Sequence, residues 1–197
     1  MVSTWNKLNV TYGRIEASMK LPIAKGMWPS FWMMPLEEGE CYLSAGEIDI
    51  IESINDDMNS YATFHHNNNS QCERKYLVSQ FNGTSVPTMN TEFHIYSVIW
   101  EPDWMVFMVD NVIFNVVNST YPHLPIPQTG QPFYIILNTA IGGGWSGSPN
   151  ETTTWPQYNY IDYSINDLAL YNYVVHYYLQ HPIHDHNNNV NYHWQTI

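Results

Sequence analysis

The sequence predicts an all-β fold, a sandwich or barrel of short antiparallel strands. Three observations carry this. Short runs rich in β-branched and aromatic residues recur along the chain, clusters of Pro, Gly and Asn such as LPIAKGMWP and YPHLPIPQTGQP separate them, and no long stretch shows helical periodicity.

Taken in order, Tyr12–Leu21 alternates imperfectly. Ile15, Ala17, Met19 and Leu21 fall on one parity, and Arg14, Glu16, Ser18 and Lys20 on the other. Ser30–Met34, Glu47–Ser53, Ser60–His66 and His94–Glu101 are the next strands expected. Trp104–Val109 and Val112–Val117 follow, joined by the turn VDN with Asp-Asn at its tip. Phe133–Ala140 and a last strand near Leu168–Tyr173 complete the set, and a short helix is allowed only after Pro122. Residues 1–173 are expected to form one domain. Residues 174–197, rich in His, Asn and Tyr, are read as an appendage. Its His181, His184 and His186 lack a fixed spacing to a fourth metal ligand, so a solvated tail is expected.

At 197 residues the chain is long enough for a sizeable core. Eight Trp, 15 Tyr and 7 Phe beside only 12% charged residues suit a neutral partner with flat apolar faces, a description that sugars meet. The net charge of −12 argues against nucleic acid, sulfated polysaccharides and anionic membranes. No apolar run is long enough to span a bilayer. The predicted partner is therefore a neutral polysaccharide, bound by a monomer. N-x-[ST] sequons at Asn9, Asn68, Asn82, Asn118 and Asn150 point to an extracellular or vacuolar location, although the N-terminus lacks the apolar core of a signal peptide. Cys41 and Cys72 are candidates for a disulfide, with two unpaired thiols as the alternative.

The segment AGEIDIIESIN concentrates the chemistry. Glu47 and Asp49 share one strand face, but the third acid is Glu52 rather than residue 51. One extra residue after Asp49, a β-bulge, would return Glu52 to the face of the other two. Calcium loops place acids on irregular backbone instead of interleaving them with Ile. A catalytic carboxylate set, held rigid by Ile48, Ile50 and Ile51, is the preferred reading.

GEIDIIE resembles the bulged Glu-x-Asp-x-x-Glu signature of glycoside hydrolase family 16, in the form typical of laminarinase-like endo-β-1,3-glucanases. YGRIEASMKLP, GMWPSFWMMP, FHIYSVIWEPDWMVFMVDN and FYIILNTAIGGGW resemble family segments in family order, from about Tyr12 to Tyr171. The resemblance implies a jelly-roll β-sandwich with an open concave sugar cleft, acting on β-1,3 or mixed β-1,3/1,4 glucans with retention. It implies Glu47 as nucleophile, Glu52 as acid/base, and Asp49 between them as a tuning group. On this reading Glu47 needs hydrogen-bond donors to stay ionised, and its two anionic neighbours keep Glu52 protonated.

The resemblance also carries over Trp32 as a sugar-stacking platform, His65 beside the acid/base, Asn138 facing the cleft and Trp145 on the acceptor side. Glu16 and Tyr42 join them as substrate-binding positions. His66 competes with His65, since only one of two successive strand residues faces the cleft. Core packing is expected for Trp28, Phe31, Trp100 and Trp104. No cofactor is required, and a structural calcium using Asp162 or Asp167 is allowed. Tyr42 stands where a Trp is common, and Ser18 where an Arg is frequent. Only eleven residues precede Tyr12, which implies a chain lacking the family's N-terminal strands. A non-catalytic glucan-binding module and a β-glucan transglycosylase are the alternative functions on the same fold.

Overall fold

The structure is a computed structural model that describes residues 1–37, 45–67, 77–118, 131–162, 172–174, 179–184 and 190–194. Its strands are β1 (Val2–Ser3), β2 (Gly13–Lys20), β3 (Met27–Pro35), β4 (Glu47–Glu52), β5 (Asn59–Asn67), β6 (Leu77–Ser85) and β7 (His94–Glu101). They continue as β8 (Trp104–Val109), β9 (Val112–Asn118), β10 (Phe133–Ile141), β11 (Tyr160–Asp162), β12 (Asn172–Val174), β13 (Leu179–His184) and β14 (Val190–Trp194). Among the described residues there is no helix, and so none long and apolar enough to cross a membrane.

Two six-stranded sheets make a jelly-roll sandwich. The first runs β1-β10-β3-β4-β5-β6. The second runs β11-β2-β7-β8-β9, with β12 added in parallel to β2. β13 and β14 pair with each other in a separate two-stranded sheet, so part of the expected solvated tail is a hairpin.

Period-two alternation decides which residues meet between the sheets. Ile15, Ala17 and Met19 of β2 face Phe31 and Met33 of β3, Ile48 of β4 and Phe64 of β5 across a dry interior, each at most 2% exposed. Trp100 packs edge-on against Phe133 with ring centroids 5.0 Å apart. Full burial of each such side chain contributes roughly 1.5–3 kcal/mol. The partners of Phe31 and Met33 in alternation, namely Trp28, Ser30 and Trp32, therefore lie on the opposite face of the first sheet, turned away from the core.

The turn at Val109–Asn111 behaves as its sequence requires. Asp110 and Asn111 both take positive φ, 51° and 63°, as a two-residue type I′ hairpin needs. Several elements differ from expectation. β1, β6, β11, β13 and β14 were not anticipated, and the strand expected near Leu168–Tyr173 is seen at Asn172–Val174, residues 163–171 being outside the described residues. Trp104, expected in the core, is 38% exposed near one end of the β8–β9 hairpin. Cys41 and Cys72 lie outside the described residues.

Candidate active site

The bulge forms where the spacing of the acids demands it. Across β3 and β4, Phe31 pairs with Ile51 and Trp32 with Asp49, which leaves Ile50 as the extra residue. Across β4 and β5, Asp49 pairs with Thr63 and Glu52 with Tyr61, so Ile50 and Ile51 together oppose Ala62. Both isoleucines are buried, at 1% and 0% exposure. The apolar pair thus anchors the strand while Glu52 rotates back to the outward face. Glu47 pairs with His65 on that same face, so the acids align opposite His65, Thr63 and Tyr61 in turn.

The neighbours of each acid differ. Asp49 is buried, with Oδ2 lying 3.2 Å from His65 Nε2. That contact is close enough for attraction but is not aligned as a hydrogen bond, and Asp49 Oδ2 has no hydrogen-bond partner. His65 Nδ1 lies 2.6 Å from Ser79 Oγ on β6. Glu52 accepts a 2.8 Å hydrogen bond from the Trp28 indole N–H. His66 points the other way, is buried, and stacks on Phe64 with centroids 5.2 Å apart. The choice between the two histidines is thereby resolved in favour of His65.

Burial pushes the Glu47 carboxyl up to about 7, and the charges of Asp49 and Glu52 push the same way while His65 opposes them. Asp49 is raised well above the usual carboxylate range by burial and by Glu52. Glu52 is raised by burial, against the lowering effects of the Trp28 hydrogen bond and His65. Two expectations are corrected here. Glu47 shows no hydrogen-bond donor among the described residues, and burial raises its carboxyl instead of a donor lowering it. Glu52 is raised by removal from water and not, as expected, mainly by its anionic neighbours.

Trp32 is half-buried on the same face and donates its indole N–H to Asn138 Oδ1 at 2.7 Å, which fixes both side chains. Met34, Ile136 and Tyr134 pack around it as a small apolar patch. Trp145 stands 43% exposed, edge-on to Trp28 at 5.3 Å and tilted to Tyr61 at 5.5 Å. Its loop is tied down from below. Gly142 N–H donates to Gly26 O at 2.7 Å, and the Thr153 hydroxyl to Lys25 O at 2.8 Å. Gly26 takes φ +83°, and a Cβ there would stand 2.4 Å from Pro149 N.

One expected member does not join the site. Glu16 lies on β2 in the other sheet, on the face opposite core residues Ile15 and Ala17, where it accepts a 2.6 Å hydrogen bond from Arg14 Nε. Substrate contact by Glu16 is therefore corrected, and Ser18 on the same outer face removes no fork from the cleft. Tyr42 lies outside the described residues, as do Asp167 and the side chain of Asp162. Trp28 is the main site residue that sequence reasoning missed, having been placed in the core. Its even parity with Ser30 and Trp32 was the available signal. Tyr61 and Ser79 also belong to the site, and only their register opposite β4 and His65 reveals them.

The chain is similar to known proteins. Residues 1–164 fit the family described as Glycosyl hydrolases family 16. The chain belongs to this family. A beta-glucanase of Rhodothermus marinus is 32% identical over 177 residues, covering 81% of this chain and 58% of the relative. A keratan-sulfate endo-1,4-beta-galactosidase of Sphingobacterium multivorum is 33% identical over 160 residues, covering 75% of this chain and 35% of the relative. The laminarinase catalytic domain of Thermotoga maritima superposes with a TM-score of 0.70 at 34% identity, covering 81% of this chain and 64% of that one. The family 16 chain described here thus spans under two thirds of the length of each of these relatives.

Proposed function

We propose that the protein is an endo-acting, retaining hydrolase of neutral β-glucans with β-1,3 or mixed β-1,3/1,4 linkages. The single observation that carries this reading is the bulge at Ile50, which sets Glu47, Asp49 and Glu52 on one outward face beside His65 and Trp28. Family membership and the glucanase relatives support the substrate class. The net charge of −12 favours an uncharged glucan over a sulfated chain such as keratan sulfate.

In this mechanism Glu52 gives its proton to the glycosidic oxygen as Glu47 attacks the anomeric carbon. The aglycone leaves, and a glycosyl ester on Glu47 remains. Glu52, now a carboxylate, takes a proton from water, which attacks the same carbon and frees Glu47. Asp49, buried between them, tunes the two acids as their immediate neighbour. Trp32 and Trp145 supply aromatic surfaces for sugar faces, which bind without charge. Residues 1–173 form the catalytic unit in this reading, residues 174–197 an appendage, and the protein acts outside the cell or in a vacuole.

Glu47→Gln tests the proposal. It should lower reducing-end release from laminarin by roughly 10⁴-fold or more, with an unchanged circular dichroism spectrum. A variant cutting laminarin at the parental rate would refute the nucleophile. Proton NMR of the first product formed should show the β-anomer, and an α-anomer would refute retention. Lichenan and agarose assayed in parallel fix the linkage class.

A further inference from the structure

We propose that Glu47, Asp49 and His65 bind a zinc-like divalent cation, which occupies the nucleophile and switches the enzyme off. The cation site stands on geometry alone, and the inhibition rests on the proposed function. One ligand atom from each of the three side chains lies within 4.8 Å of the others. Tetrahedral zinc with bonds of about 2.0–2.2 Å sets its ligand atoms roughly 3.3–3.6 Å apart. His65 Nε2 and Asp49 Oδ2 already stand 3.2 Å apart, so only half-buried Glu47 has to close on them.

Two further observations point to a ligand. Asp49 is 2% exposed, and its Oδ2 atom has no hydrogen-bond partner although it stands 3.2 Å from His65 Nε2. An unsatisfied buried carboxylate oxygen is costly, and a cation would satisfy it. The second is the contact between His65 Nδ1 and Ser79 Oγ at 2.6 Å. With Nδ1–H donated to Ser79, Nε2 keeps its lone pair for a metal, an outer-shell arrangement that ligating histidines use. The contact of Nε2 with Asp49 Oδ2 is not aligned as a hydrogen bond, so no proton there has to be displaced from a bond by the cation. Two carboxylates with one imidazole suit Zn²⁺ better than Ca²⁺ or Mg²⁺, which prefer oxygen alone.

The histidine-rich tail could bind the same ion, so the test starts from the full chain carrying His181→Ala, His184→Ala and His186→Ala. Zn²⁺ is titrated against a chromogenic chelator without substrate, and circular dichroism checks each variant. One site is expected, weakened at least tenfold by His65→Ala or Asp49→Asn and about tenfold by Ser79→Ala, which removes only the exposed outer-shell group. Ca²⁺ should not compete. In parallel, laminarin hydrolysis should fall over the same Zn²⁺ range and recover with a chelator. Absence of binding, or binding unchanged in the His65 and Ser79 variants, overturns the proposal. Binding at these residues with hydrolysis unaffected overturns the switch. Binding by a protein that never cuts laminarin instead sinks the hydrolase reading and leaves the cation site standing.

Discussion

The indole N–H of Trp28 donates to Glu52 Oε1 over 2.8 Å, so a tryptophan two turns of alternation before the core residue Phe31's neighbour Trp32 holds the proposed proton donor. This bond favours the carboxylate form and lowers the Glu52 pKa against the effect of burial. Trp28→Phe keeps a ring against Trp145 but removes the donor. The Glu52 proton should then be held more tightly, and the alkaline limb of kcat/KM against pH should move upward, with kcat falling about tenfold. An unmoved limb would show that Trp28 acts only by packing.

Glu47 gives the fold a pH-dependent stability. Its carboxyl rises from 4.5 to about 7 in the folded site, so the folded protein binds this proton more tightly than the unfolded chain. The resulting stabilisation is complete below about pH 4.5 and disappears as pH climbs through about 7. Asp49 shifts in the same direction. Thermal melts from pH 4.5 to 8 should therefore show a decline that Glu47→Gln flattens, the difference being on the order of 2 kcal/mol, or several degrees. Parallel melting curves for the two proteins would contradict the assignment. The same ionisation predicts an acid limb in kcat/KM near pH 7 for the parent.

Deleting Ile50 asks whether the bulge or the outward face matters. Ile51 would take its place against the core, and Glu52 would become residue 51 of a straight strand, still on the face of Glu47 and Asp49. The loss of a side chain that is 1% exposed costs about 2–4 kcal/mol. The shortened protein should melt lower yet retain measurable laminarin hydrolysis. An Ala inserted between Ile51 and Glu52 should turn that acid toward the core and abolish it. Equal activity in the two variants would contradict the register argument.

In the proposed function Trp32 binds sugar and takes no part in the chemistry. Its hydrogen bond to Asn138 and its packing on Ile136 fix the ring before any sugar arrives. Trp32→Ala should raise KM for laminari-oligosaccharides about tenfold with kcat little changed, the pattern of lost uniform binding. A fall in kcat at constant KM would instead place Trp32 in the chemistry.

The bulge was legible because three acids among isoleucines fit only one register that leaves all of them outward. The VDN turn was legible for a similar local reason. β6 escaped notice because LVSQFNGTS mixes polar residues into both parities and carries Asn-Gly, a turn signal, inside an edge strand where Phe81 stands 65% exposed. Glu16 shows a deeper limit. Alternation correctly turned it away from the core, but alternation cannot say which of two sheets a strand joins, and so which outside it faces. Trp28 failed in the opposite way, since a tryptophan between Met27 and Pro29 looks like filling until its parity with Trp32 is given weight.

The ties beneath Trp145 have a consequence for how a polymer is gripped. A ring that rests on Trp28 and Tyr61, in a loop tied to Gly26 and Lys25, behaves as an anvil, not a hinged jaw. Its ordering is completed during folding, so little of a sugar's adhesion there is lost to freezing the loop. Under the proposed function, a long glucan would settle sideways onto it anywhere along its length.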